Sequence, residues 1–188
     1  MGFQSLTNQF LIAMPDLQDT NFAQSVSLIC QHDENGCMGV IINKPIVDVS
    51  LPDIFQQLKL EPKASVRQRQ VGIFSGGPVH PELGMVLHIG RGEWESTLPV
   101  GEHFGLTTSL DIIEALANGE GPEHCMFILG YAGWSAGQLE HEIQQNSWLN
   151  TTATEEIIFS TPVAERWPEA ANLLGVDLTL LSTNAGHA

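Results

Sequence analysis

An apolar run, Cys125 to Leu129, passes directly into Gly130-Tyr131-Ala132-Gly133-Trp134-Ser135-Ala136-Gly137, and a helical pattern begins near Gln138. This junction constrains the fold most. A short apolar run bounded by glycine reads as a buried strand. A glycine-rich turn between strand and helix exposes backbone N–H groups at the positive end of the helix, where anions or polar ligands dock. Gly133-x-Ser135-x-Gly137 also spells the nucleophile-elbow pattern.

The rest of the chain mixes both periodicities. Asn8 to Ala13, Val26 to Gln31 and Met38 to Asn43 read as strands, the last two joined by an Asn35-Gly36 hairpin turn. Ser50 caps a helix to about Lys59, with Asp53 at its dipole-favoured start. Strands are expected at Val71 to Ser75, Leu83 to Ile89, Phe104 to Thr107, Glu156 to Phe159 and Val176 to Leu181. Ser109 is expected to cap a helix closed by Gly119, and Ser135-x-x-Gln138 to form a capping box for a helix to about Asn146. Thr161-Pro162 opens a last helical region that Pro168 must break or restart. A hairpin first and alternating elements later suit one α+β domain over residues 1–188. About six to eight strands and four helices are expected.

Charge limits the partners. The 188 residues carry a net charge of −15, unevenly spread. Residues 1–70 hold five basic and seven acidic side chains; residues 71–188 hold only Arg91 and Arg166 against fifteen acids. Specific DNA binders make on the order of 6–10 phosphate contacts. A chain with seven Lys and Arg in all is therefore expected to bind no nucleic acid directly. Four of the seven, Lys59, Lys63, Arg67 and Arg69, lie close together; they read as a solvated loop, with an anion-binding patch as the other reading. No apolar run reaches the roughly 18 residues of a membrane span, and no signal pattern precedes Lys44. A cytoplasmic protein is expected. Three cysteines without a Cys-x-x-Cys pattern fit a reducing compartment.

Seven segments, in order, then resemble one family. They are Phe10 to Pro15, Gly36 to Pro45, Ser75-Gly76-Gly77-Pro78-Val79, Leu87-His88, Leu106 to Ser109, Gly130 to Trp134 with Gly137 to Glu140, and Gly186-His187-Ala188. The likeness, to the AlgH/YqgE family of bacterial proteins, covers residues 6 to 188. It implies an α+β fold with a curved, partly barrel-like mixed sheet flanked by helices. It implies no established enzymatic activity and no catalytic residues, and in one branch a regulator of alginate production tied to transcription.

Ser135 is the enzymatic candidate, because a serine on a tight turn can present its hydroxyl beside an oxyanion-stabilising N–H. Asp177 and His187 would be its partners in chain order. Against it, Ser135 is placed as a helix cap, and the resemblance implies that glycine is accepted there. A non-catalytic binding or regulatory protein, acting through a protein partner or small ligand, is the leading reading. Binding candidates are Asn43, Gly76, Gly77, His88, Gly130, Tyr131, Gly133, Trp134, Gly137 and Gln138. If the Gly76-Gly77-Pro78 and Gly130–Gly137 turns share a rim, they frame a glycine-lined cleft beside Trp134 and Asn43. The seven histidines show no metal-ligand spacing, and Glu140-His141-Glu142 fans out around a helix, so no metal or cofactor is expected. With Asn35-Gly36 as the loop, Cys30 and Cys37 share a face about 13 Å apart, beyond the roughly 7 Å limit for a disulfide. Cys37, next to the turn, is the reactive thiol; Cys30 and Cys125 are inert.

Overall fold

The computed structural model describes residues 2–183. β1 (Gln9–Ala13), β2 (Val26–Asp33) and β3 (Gly36–Ile41) form an antiparallel meander. β1 is apolar at consecutive positions because both its faces are covered. Phe10 and Ile12 enter one cluster, Leu11 and Ala13 another, and all four are fully buried. Then come α1 (Leu51–Gln57), β4 (Ile73–Ser75), β5 (Val79–Ile89), β6 (Thr97–Val100), β7 (Phe104–Thr107), α2 (Asp111–Ala117) and β8 (Cys125–Ser135). The chain continues through α3 (Gln138–Gln144), β9 (Trp148–Thr152), a π-helical turn (Glu156–Ser160), a 3-10 turn (Val163–Glu165), α4 (Arg166–Asn172) and α5 (Leu178–Thr183).

The strands form one curled sheet in the order β6-β7-β5-β8-β3-β2-β1-β9, with β4 added parallel to β8. β6 packs alongside β2, so the sheet rolls into a half-barrel. Phe10, Leu28, Leu87, Phe104 and Ile128 fill its inside. Ile157 and Ile158 of the π-turn and Ala170 and Ala171 of α4 join that cluster. α1 and α2 cover one outer patch through Phe55 and Leu116 on Val86 and Phe127; α3 covers another through Leu139. Burying side chains of this size contributes about 1.5–3 kcal/mol each.

β8 ties the halves together. Its first half lies between β5 and β4, its second beside β3. Met126 and Ile128 face inward and Phe127 outward, but beyond Gly130 the parity inverts: Tyr131 packs on the inner cluster, Ala132 and Trp134 on an outer one. Gly130, at φ +73°, absorbs that flip. The Gly130–Ser135 stretch is thus the second half of a strand, where a strand-to-helix turn was expected.

Other elements differ from expectation for local reasons. The hairpin loop is Glu34-Asn35, because Asp33 pairs with Gly36 and the Asp33 carboxylate accepts from Asn35 N at 2.8 Å. Cys30 is an extra residue between Ile29, opposite Gly39, and Gln31, opposite Met38. The bulge sends Cys30 into the inner cluster and Cys37 into an outer one, so the two do not share a face; both thiols are free. Glu156–Phe159 is helical, its turn begun by Thr154, whose hydroxyl and carbonyl accept from Ile157 N and Ile158 N. Residues 178–183 are helical because the Asp177 carboxylate accepts from Thr179 N and Oγ1. β6 and β9 were not anticipated; β9 takes its conformation from pairing with β1. Ser109 binds Ser96 N and Asp111 and does not cap α2, whereas Ser50 and Asp53 form the capping box on α1 as expected.

Candidate functional site

The two glycine turns do meet, but back to back. A methyl added at Gly76 would sit 2.3 Å from Gly130 O, at Gly77 2.2 Å from the Tyr131 carbonyl carbon, and at Gly130 2.7 Å from Gly77 O. Gly76 N donates to Leu129 O and Ile41 N to Gly76 O. The glycines let one main chain lie on another, and the space between them is filled. Asn43 lies next to this junction, between Ile41 and Lys44, whose main chains bond Gly76 and Ser75; its side chain is a clamp that accepts from Val26 N and donates to Gln24 O. A Cβ at Gly133 would meet only the edge of the Tyr131 ring, at 4.0 Å; Gly137 has open space there and, at φ +74°, leads into α3.

Ser135 ends β8, exposed, and among the described residues its hydroxyl has no hydrogen-bond partner; its N–H donates to Gln138 Oε1 at 2.9 Å. That bond is one arm of the expected capping box; the other is not made, and Gly137 occupies the cap position. Asp177 is engaged at the start of α5, and His187 lies outside the described residues. No nucleophile–base pair is assembled at Ser135 among the described residues.

Trp134 is buried, its indole N–H donating to Glu142 Oε2 at 3.0 Å. The same oxygen accepts from Trp148 Nε1 at 2.8 Å, and Gln138 donates to Oε1. A carboxylate on α3 thus pins two strands' tryptophans, whose N–H groups need acceptors when buried. Beside it, His32 Nδ1 accepts from Leu6 N, so the ring proton sits on Nε2 and is donated to Glu140 at 2.9 Å. Cys37 lies under the same helix. Burial first, and the Glu140 charge second, push its thiol up to about 12. Position beside a turn suggested reactivity; desolvation opposes the thiolate that reactivity needs. Cys125, pushed up to about 11 by burial, is likewise protonated.

His88 is buried and lines a cleft of about 530 Å³ with Arg91, Glu93, Trp94 and Glu120. Its Nδ1 donates to Ile89 O at 3.1 Å and its Nε2 accepts from Thr107 Oγ1 at 2.7 Å. Thr107 is in turn bonded to Thr97. Burial holds its pKa below the ordinary 6.5, the neutral ring that this pattern requires. Tyr131 lines a different groove, of about 640 Å³, with Met38, Met85 and Leu106.

The largest described cleft, about 670 Å³, lies elsewhere. One wall is the loop after β3, Pro45 to Pro52; the other is Arg67 to Phe74, with Val163 beside them. Ile46 N donates to Ile73 O and holds the walls together at the base. Arg69 is fixed by bonds to the carbonyls of Pro122 and Glu123. Arg67 is exposed and, among the described residues, its guanidinium meets neither carboxylate nor other acceptor. Arg166, buried at the head of α4, stacks at 5.1 Å on Phe74 and donates to Thr161 O and Ile42 O. It has no carboxylate partner among the described residues, and burial lowers its pKa. Glu142, His32 and Arg166 carry contacts the sequence reading overlooked. The Gln138-to-Glu142 helical spacing beside two tryptophans could have flagged the first; nothing local marks the other two.

A curled α+β half-barrel with an open, cation-lined cleft is the class these features define. The chain belongs to the AlgH-like family (DUF179), which it matches over residues 10–179. It is 51% identical over 186 residues to a UPF0301 protein of Saccharophagus degradans, covering 99% of this chain and 90% of that one. A UPF0301 protein of Thioalkalivibrio sulfidiphilus is 50% identical over 184 residues, covering 98% and 97%. The solution structure of the AlgH protein from Pseudomonas aeruginosa superposes with a TM-score of 0.77 at 45% identity, covering 100% of each chain. A crystal structure of a Corynebacterium diphtheriae protein shares the fold at 20% identity, with a TM-score of 0.75 over 97% and 94% of the two chains.

Proposed function

We propose that the chain is a non-catalytic regulatory protein that works in the cytoplasm by binding a small ligand or a protein partner, and that any effect on transcription is indirect. Ser135 carries this reading: the one motif that spells a nucleophile has a free hydroxyl without a base among the described residues. The charge balance of −15 supports the indirect route, since phosphate backbones are repelled by such a surface. No helix among the described residues is long and apolar enough to cross a membrane.

Two measurements test it. Wild type and Ser135→Ala should show the same background rate on a panel of p-nitrophenyl esters. Turnover present in wild type and lost in the variant overturns the non-catalytic reading. A labelled duplex titrated at low salt should show no anisotropy change up to micromolar protein; tight, salt-sensitive binding overturns the indirect route.

A further inference from the structure

The cleft between Pro45–Pro52 and Arg67–Phe74 is electrostatically unlike the other described clefts. Its lining includes Arg67 and Arg69 and no Asp or Glu, in a chain with 22 acids. The His88 cleft sets Arg91 against Glu93 and Glu120, and the groove at Met38 and Met85 has Glu95 and no cation. The groove on the far side of Pro52 sets Glu61 against the same Arg67. Asp53, next to lining residue Pro52, spends its carboxylate on Ser50 in its own helix cap. Arg166, stacked on the lining ring of Phe74, adds a third positive charge nearby, without a counter-ion among the described residues. Two of the seven Lys and Arg thus line one cleft, and a third stacks on one of its lining rings.

The remaining lining is mostly apolar, with Ile46, Val49, Leu51, Val71, Ile73 and Val163 beside the uncharged polar Ser50, Gln68 and Gln70. Ligand sites are commonly apolar clefts of about 300–1,000 Å³ with a few polar groups that fix orientation. We propose that this cleft binds a small free amphipathic anion, an aliphatic chain ending in a carboxylate or phosphate. The chain lies on Ile46, Val49, Val71 and Ile73, and the head group meets Arg67. A planar guanidinium with no partner of its own suits either head, because it can grip two oxygens at once. The proposal rests on the reading that the protein works by binding, and names the ligand class for it.

The test uses the full chain and four monomeric probes: decanoate, decyl phosphate, decanol and decyltrimethylammonium, followed by amide chemical shifts and calorimetry. The two anions should bind and move the amides of Ile46, Val71 and Gly72. Decanol should bind at least about tenfold more weakly, and the cation not at all. Arg67→Glu, and more mildly Arg67→Gln, should weaken decanoate at least about tenfold without changing the melting temperature, whereas Arg91→Glu should leave it unchanged. Equal binding of decanol, indifference to Arg67, or shifts confined to another cleft overturns the assignment. So does the absence of binding at millimolar probe. Co-sedimentation with phosphatidylglycerol vesicles, without binding of the monomeric anions, also overturns it, because the anion would then be one presented by a bilayer. None of these failures touches the non-catalytic reading, which stands or falls on turnover at Ser135.

Discussion

The β8 crossing and the Lys59–Gly72 segment make opposite use of their sequences. The crossing carries the motifs that look functional, glycines in clusters and a Gly-x-Ser-x-Gly, and spends most of those glycines on packing. Gly76, Gly77 and Gly130 lie where two main chains touch. The other segment looks like a solvated loop, and it forms a wall of the largest described cleft with an unpaired arginine at its lip. The difference is what a residue type can be required by. Glycine is demanded by close backbone approach as readily as by a ligand. A guanidinium at the edge of an apolar cleft, with no acceptor among the described residues, keeps its donors free for a ligand while its stem packs on the wall.

Gly77 carries the largest expected effect. Gly77→Ala places a Cβ 2.2 Å from the Tyr131 carbonyl carbon, at φ +152°. Main chain must move, so a loss of about 3–5 kcal/mol in urea unfolding is expected. Gly137→Ala, with open space around its Cβ and φ +74°, should cost only about 1–2 kcal/mol for the left-handed backbone. Equal losses at the two sites would mean that Gly77 is not packed as described.

The α3 clamp is next. Glu142→Leu removes the acceptor of both Trp134 and Trp148, leaving two part-buried indole N–H groups unpaired. A loss of about 2–4 kcal/mol is expected, with a shift in tryptophan emission. Glu142→Gln, which keeps an acceptor oxygen, should recover at least half; no recovery would show that charge, not hydrogen bonding, holds the clamp.

What was legible in the sequence follows from how local each signal is. The meander, α1 and its cap rest on near neighbours and were readable. The half-barrel was read through the family resemblance, not from periodicity. Gly130 flips a strand's parity only because Gly77 and Val79 lie against it, a fact of tertiary packing. β9 is a strand because β1 is beside it. The Arg67 cleft needs Pro45–Pro52 folded opposite residues some twenty positions later, so the four clustered cations could be counted but not placed.

His88 lines a cleft of mixed charge, where burial acts on a titratable group. Burial holds its folded pKa below 6.5, so below that pH the unfolded chain takes up a proton that the folded ring resists. This contribution is fully present above pH 6.5 and is lost as pH falls. For one proton the slope is at most about 1.4 kcal/mol per pH unit. Stability measured from pH 7 to pH 5 should therefore fall more steeply in wild type than in His88→Gln. Identical slopes would place His88 in water.

The smallest effect separates burial from charge at Cys37. With its thiol pushed up to about 12, only about one molecule in ten thousand carries the thiolate at pH 8, so iodoacetamide should label it slowly until the protein unfolds. Burial is the larger cause and Glu140 the smaller. Glu140→Gln keeps an acceptor for His32 and removes the negative charge. Labelling should then speed up but stay far slower than in the unfolded chain, because burial, the larger cause, persists. A hundredfold rise would reverse the order of causes: the carboxylate, and not the packing of α3 over β3, would be what keeps this thiol protonated.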